Sequence, residues 1–146
     1  MAEQARIENL DALAEAARAF VRALVPSERA TLVTLSGELG AGKTAFSQAI
    51  ASALGVEEHV TSPTFVLEKV YELPPEAAFK KLVHIDAYRL GAGAELGALG
   101  FSSLLEDGGN LVLLEWPERV ADALPVPAHA ISIAPNQDGS RTFTYA

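Results

Sequence analysis

The sequence predicts an α/β domain of three layers. Its central sheet is expected to be mostly parallel, with an antiparallel hairpin at the C-terminal end. Three observations predict this. Short apolar runs, "ATLVTLS" (30–36), "KLVHIDAYRL" (81–90) and "NLVLLEWP" (110–117), alternate with segments of helical periodicity. Strands that alternate with helices build parallel sheets covered by helices. The chain has 146 residues, 49% of them hydrophobic, enough for one domain with a real core and too few for two ordinary ones. Finally, "AHAISIAP" and "SRTFTYA" flank "NQDG", which is hairpin turn chemistry.

Each element has its own local reason. "NLDALAEAARAFVRAL" reads as an amphipathic helix with Asn9 as N-cap and Leu10, Leu13, Ala17, Phe20, Val21 and Leu24 as its apolar stripe, stopped by Pro26. Residues 30–36 form a buried strand. "KTAFSQAIASALG" (43–55) is helical, with Gly55 just past its end. "FVLEKVYEL" (65–73) combines β-formers with charge, the pattern of an outer strand. The runs at 81–90 and 110–117 are further strands, each carrying an acid where its apolar part ends. Between them "AELGALGFSSLLED" (94–107) is expected to be one helix. "PERVADALP" (117–125) opens with proline at a favoured first-turn position and is expected to be a short helix.

Composition excludes several classes of function. There are no cysteines, so disulfides and thiolate metal sites are ruled out, and a reducing cytoplasmic setting fits. The N-terminus has no basic segment followed by an apolar block, and no apolar run reaches membrane-spanning length. Net charge is −8, with eleven lysines and arginines scattered along the chain. Direct, tight nucleic-acid binding needs a basic face and is disfavoured.

The strongest motif is "GELGAGKT" (37–44). Gly37, Gly42, Lys43 and Thr44 satisfy G-x-x-x-x-G-K-[ST], between a predicted strand and a predicted helix. Glycines let successive backbone N–H groups turn inward as an anion nest, and the following helix adds its N-terminal dipole. Residues Glu38, Leu39, Gly40, Ala41, Gly42, Lys43, Thr44 and Ala45 are the expected nucleotide cradle. Lys43 reaches the β- and γ-phosphates, and the Thr44 hydroxyl meets Mg²⁺. A chance glycine turn is the plain alternative, and the flanking strand and helix argue against it. "GAGAELG" (91–97) has the wrong spacing for a dinucleotide fingerprint.

A phosphate loop needs a carboxylate at the end of a neighbouring buried strand. Asp86 ends "LVHID" and Glu115 ends "LVLLE". Which of the two holds Mg²⁺ and which positions water stays open, as does the plainer possibility that one caps a strand or pairs with Arg89 or Arg119. In "TSPTF" (61–65), Thr61, Ser62 and Thr64 could sense a γ-phosphate, or the stretch could be a polar turn stiffened by Pro63. His84 reads as packed or hydrogen-bonded rather than as a catalyst, and His59 and His129 read as surface loop residues. Trp116, the only tryptophan, falls between Glu115 and Pro117 at the expected site rim. No Asn-Lys-x-Asp is present, so the guanine reader of GTPases is missing and ATP is expected. The arginines lie mostly on the first helix or apart, which weakens a small-molecule kinase reading. A non-catalytic nucleotide-binding module is the remaining alternative.

The motifs "GELGAGKT", "TSPTF", "HIDAYRL", "AELGALGF" and "LLEWPERV" come in an order and spacing that resembles the bacterial TsaE (YjeE) family over roughly residues 8 to 135. H-x-D-x-Y-R-L and E-W-P are the specific parts. The resemblance implies a P-loop NTPase fold and an Mg²⁺-dependent ATPase required for threonylcarbamoyladenosine at position 37 of tRNA. It implies TsaB and TsaD as partners, with TsaD transferring the threonylcarbamoyl group, ATP hydrolysis resetting the complex between turnovers, and tRNA held by the other subunits. By motif match, Lys43, Asp86 and Glu115 would be catalytic, with Thr44, Glu115 and Asp86 on the metal side. Thr64 would belong to the switch and Trp116 would sit beside the acids. Ala45 departs from the common second threonine, which predicts slightly weaker nucleotide binding, and Glu38 stands where aspartate is common. The hairpin carries no matching motif.

Overall fold

The computed structural model describes residues 3–38, 40–57 and 68–146. In order, the elements are β1 (Glu3–Ile7), α1 (Leu10–Ala23), β2 (Thr31–Ser36), α2 (Lys43–Ala53), β3 (Glu68–Glu72), β4 (Lys81–Asp86), α3 (Ala94–Gly97), α4 (Phe101–Glu106), β5 (Asn110–Glu115), β6 (His129–Pro135) and β7 (Arg141–Tyr145). The seven strands of the described residues join one sheet in the order β1-β7-β6-β2-β5-β4-β3. The central four, β6, β2, β5 and β4, are mutually parallel. Both flanks are antiparallel: β3 on β4, and β7 between β6 and β1. The sheet is thus parallel in its middle, as expected, and mixed overall.

Alternation along the buried strands divides the core into two. Val33 and Leu35 of β2, Leu111 and Leu113 of β5 and Leu82 of β4 pack with Ala17 of α1 and with Phe46 and Ile50 of α2. Leu32, Val112, Leu114, Val83 and Ile85 face the other way, onto Leu96 of α3 and Phe101 and Leu105 of α4. This is the three-layer arrangement. Strand β5 is buried along its whole length, as expected of a parallel strand covered on both faces.

Helix α1 begins as its sequence dictates. Asn9 has extended backbone angles, and its Oδ1 accepts the Ala12 N–H at 2.8 Å. Replacing Asn9 by alanine should cost roughly 1 kcal/mol, read as a fall of about 2–4 °C in the unfolding midpoint. A midpoint unchanged within error would mean that water caps the helix equally well.

Several expectations need correction. Strand β1 carries no local signal, because "EQARI" is polar and only its Ile7 is buried; its support is pairing with β7. Leu10 is not part of the buried stripe but is 78% exposed at the first helical position. The helix expected over 94–107 is two short ones, broken at Gly100, whose φ of 72° is left-handed. Residues 117–125 form two 3₁₀ turns, Pro117–Arg119 and Ala121–Ala123, rather than a helix. His129 is not a loop residue: it starts β6 and meets the Phe20 ring edge-on at 5.3 Å.

Candidate functional site

The parallel middle of the sheet brings the chemistry to one edge. Strands β2, β5 and β4 lie side by side, with Leu35 in register with Glu115 and Glu115 in register with Asp86. Two residues beyond Leu35 the chain enters the glycine loop, so both acids lie on one side of the loop at the carboxyl edge, where open α/β sheets bind ligands. Gly37, Gly40 and Gly42 have φ values of 152°, 83° and 113°, and the loop depends on their freedom. Gly42 caps α2 without any side-chain hydrogen bond, so the first turn of an eleven-residue helix presents its N–H groups toward the loop.

Lys43 is buried, and its Nζ donates to the carbonyl oxygens of Gly37 at 2.6 Å and Glu38 at 2.9 Å. The same ammonium lies 4.1 Å from the centre of the Trp116 ring. Burial lowers its pKa, opposed by the charges of Glu115, Glu118 and Asp86. Trp116 has φ 62° and is the one non-glycine residue with positive φ among the described residues. Such backbone costs of order 1–3 kcal/mol. It is held by the Trp116 N–H bond to Leu35 O at 3.1 Å and by the Arg119 N–H bond to Trp116 O at 3.1 Å. The turn aims the indole at Lys43, while Tyr88 packs on it with centroids 4.9 Å apart.

Thr44 Oγ1 donates to Glu115 Oε1 at 3.4 Å, and Glu115 Oε2 lies 2.5 Å from His84 Nε2. Asp86 is buried, and its Oδ1 accepts the Tyr88 N–H at 2.9 Å. Hydroxyl and carboxylate oxygens are the donors Mg²⁺ prefers. Among the described residues no three of His, Cys, Asp and Glu form a metal cage. The Thr44 hydroxyl and the Glu115 carboxylate, 3.4 Å apart, supply two such oxygens, a set that fits an ion keeping phosphate and water as its other ligands.

Of the expected residues, the structure gathers Lys43, Thr44, Glu115, Asp86 and Trp116 with Glu38, Gly40, Ala41, Gly42 and Ala45 of the loop and α2. Leu39, His59, Thr64 and the rest of "TSPTF" lie outside the described residues. His84 is buried and hydrogen-bonded, as its place in the strand suggested. Sequence reasoning missed Arg141. From the hairpin, its Nε donates to Ala41 O at 2.8 Å and braces the loop; a single arginine beside a turn carries no signal of that. Also missed was a cavity of about 260 Å³ beside the loop, lined by Ile7, Leu10, Leu13, Ala45, Arg141 and Phe143 among others. It is built from both ends of the chain, which explains the exposed Leu10.

The family model described as "Threonylcarbamoyl adenosine biosynthesis protein TsaE" matches residues 7–143. The chain belongs to the TsaE family. A relative from Treponema pallidum named "tRNA threonylcarbamoyladenosine biosynthesis protein TsaE" is 38% identical over 119 residues, covering 82% of this chain and 84% of its own. One of the same name from Streptomyces coelicolor is 44% identical over 94 residues, 64% of this chain and 61% of that protein. The crystal structure of Bacillus subtilis YdiB superposes with a TM-score of 0.79 at 27% identity, over 99% of this chain and 84% of YdiB. The P-loop fold expected from the sequence is thereby shown. Among the described residues, no helix of this TsaE chain is long and apolar enough to cross a membrane.

Proposed function

We propose that this chain is an Mg²⁺-dependent ATPase of tRNA threonylcarbamoyladenosine biosynthesis. It acts in the cytoplasm with TsaB and TsaD and resets their complex between turnovers. The observation that carries the reading is the Thr44–Glu115 approach of 3.4 Å beside a buried Lys43 at the mouth of a glycine loop. Thr44 and Glu115 would hold Mg²⁺, which supplies charge neutralisation on the β- and γ-phosphates. The geometry favours Glu115 on the metal side, since one of its oxygens faces Thr44. Asp86, one strand further out, is left to orient the attacking water.

The remaining residues have simpler tasks. Lys43 and the N–H groups of the loop and α2 would bind the phosphates and neutralise charge as the terminal phosphoryl group departs. The 260 Å³ cavity beside the loop would take the nucleoside, with Ile7, Leu10, Leu13 and Phe143 supplying apolar walls. The missing Asn-Lys-x-Asp favours ATP over GTP. A net charge of −8 suits a subunit that handles ATP and leaves tRNA to its partners.

The test is association with a TsaB–TsaD pair, measured with and without ATP, together with ATP turnover, measured with and without the pair. Wild-type chain should associate more tightly when ATP is present and turn it over faster in the complex, and Glu115→Ala should lose that dependence on nucleotide. Association indifferent both to ATP and to Glu115 would remove the basis of the proposal. ATP-dependent association with no turnover would point instead to a non-catalytic occupancy switch.

A further inference from the structure

Glu115 is shared between two partners, one on each oxygen. Oε1 faces Thr44 Oγ1, 3.4 Å away, and Oε2 lies 2.5 Å from His84 Nε2. His84 is on β4, two residues before Asp86, and Asp86 is in register with Glu115. His84, Asp86 and Glu115 therefore point from the sheet toward the same side, the side on which α2 packs. The His84 and Glu115 side chains are 1% and 2% exposed. A carboxylate can only accept, so the hydrogen between them belongs to His84 Nε2.

Two physical consequences follow from this sharing. A carboxylate rotates broadly about its last torsion unless something holds it, and when buried it incurs a large desolvation cost unless its oxygens are satisfied. A competing partner is also close by. Among the acids that act on the Lys43 ammonium, Glu115 acts most strongly. A Glu115 free to turn would be drawn toward Lys43 and away from Thr44.

We propose that His84 is a positioning residue, whose Nε2–H pins Glu115 Oε2 so that Oε1 stays turned to Thr44, ready for the metal of a bound Mg-nucleotide. The role rests on the Mg-nucleotide reading of the site given above. It extends that reading to a histidine that would touch neither metal nor nucleotide. Hydrogen-bond partners of metal-binding groups commonly matter by about 10–100-fold in metal affinity or activity.

His84→Gln and His84→Met separate the hydrogen bond from packing, because glutamine and methionine are similar in length and only glutamine donates. On the full chain, one measures the Mg²⁺ concentration that half-saturates the metal-dependent binding of a fluorescent ATP analogue. The metal-free affinity and the unfolding midpoint are measured alongside. His84→Gln should stay near wild type, whereas His84→Met should need about 10–100-fold more Mg²⁺, with the metal-free affinity unchanged. In a Glu115→Gln background, His84→Met should add nothing further, since residues that act through one another are not additive. In case the methionine variant does not fold, the wild-type imidazole N–H proton gives a second measurement: its NMR resonance should be shifted downfield and should move back in Glu115→Gln.

Equal Mg²⁺ requirements for the two His84 variants would overturn the positioning role and leave the nucleotide reading standing. So would a His84→Met effect that persists on Glu115→Gln, or an imidazole resonance indifferent to Glu115→Gln. If wild type itself shows no Mg²⁺-dependent nucleotide binding, the site reading fails and the positioning role falls with it.

Discussion

Lys43→Met should lower ATP turnover by roughly 10²–10³-fold, equivalent to about 2.7–4 kcal/mol of lost transition-state stabilisation. The ammonium is anchored by two loop carbonyls and covered by an indole face. It is therefore preorganised and needs little rearrangement to meet a departing phosphoryl group. Methionine keeps the apolar stem beside Trp116 but removes the charge together with its two hydrogen bonds to the loop carbonyls, so the unfolding midpoint is measured alongside to separate lost catalysis from lost stability. Lys43→Arg should not restore activity, because a planar fork does not replace a compact point charge in a site of this size. The measurement is steady-state turnover with the partner complex present, alongside nucleotide affinity. Turnover within about threefold of wild type would mean that phosphoryl chemistry does not pass through Lys43.

Gly37→Ala should destabilise the fold itself, by roughly 2–4 kcal/mol. Gly37 has φ 152°, and a Cβ there would sit 2.4 Å from the carbonyl oxygen of Ile133 and 3.3 Å from the Ala41 side chain. Ile133 belongs to β6, the neighbour of β2, so the clash is with sheet backbone that cannot step aside. Its relief would shift either the β2–β6 pairing or the loop carbonyl that accepts from Lys43. The expected reading is a fall of about 6–12 °C in the unfolding midpoint, with loss of nucleotide binding. Gly40→Ala is the control. Gly40 has φ 83° and nothing within 4 Å of an added Cβ, so it should carry only the left-handed backbone cost of about 1–2 kcal/mol. Equal midpoints for the two variants would show that the contact with Ile133 is soft and that the glycine serves the loop alone.

The contrast between these two glycines shows how far the motif could be read. The pattern G-x-x-x-x-G-K-[ST] marks both Gly37 and the lysine as required, and the reason visible in the sequence is phosphate. The close approach of β6 to Gly37 comes from a strand almost a hundred residues away, and no local pattern reports it. The same holds for Arg141, which braces Ala41 from the C-terminal hairpin. It also holds for β1, whose polar sequence becomes a strand only because β7 offers it an edge. The break at Gly100 is a different case: the apolar spacing over 94–107 suits a helix on either side, and a single glycine in a left-handed conformation redirected the chain.

The sequence by itself determined whatever depends on neighbours along the chain. That includes the Asn9 cap, the glycine loop with its strand before and helix after, the alternation that makes β2, β4 and β5 central, and the two acids at strand ends. These are short-range properties of backbone preference and apolar period, and they sufficed for the fold class and the family. Tertiary structure alone decided the relations among those parts. It put Leu35, Glu115 and Asp86 in one row, turned one Glu115 oxygen to Thr44 and the other to His84, and laid Trp116 over Lys43. It also closed a cavity between the first helix and the last hairpin. Hydrogen bonds and desolvation act through space, so which groups meet is fixed by strand order and register, and neither is written in any local stretch of the chain.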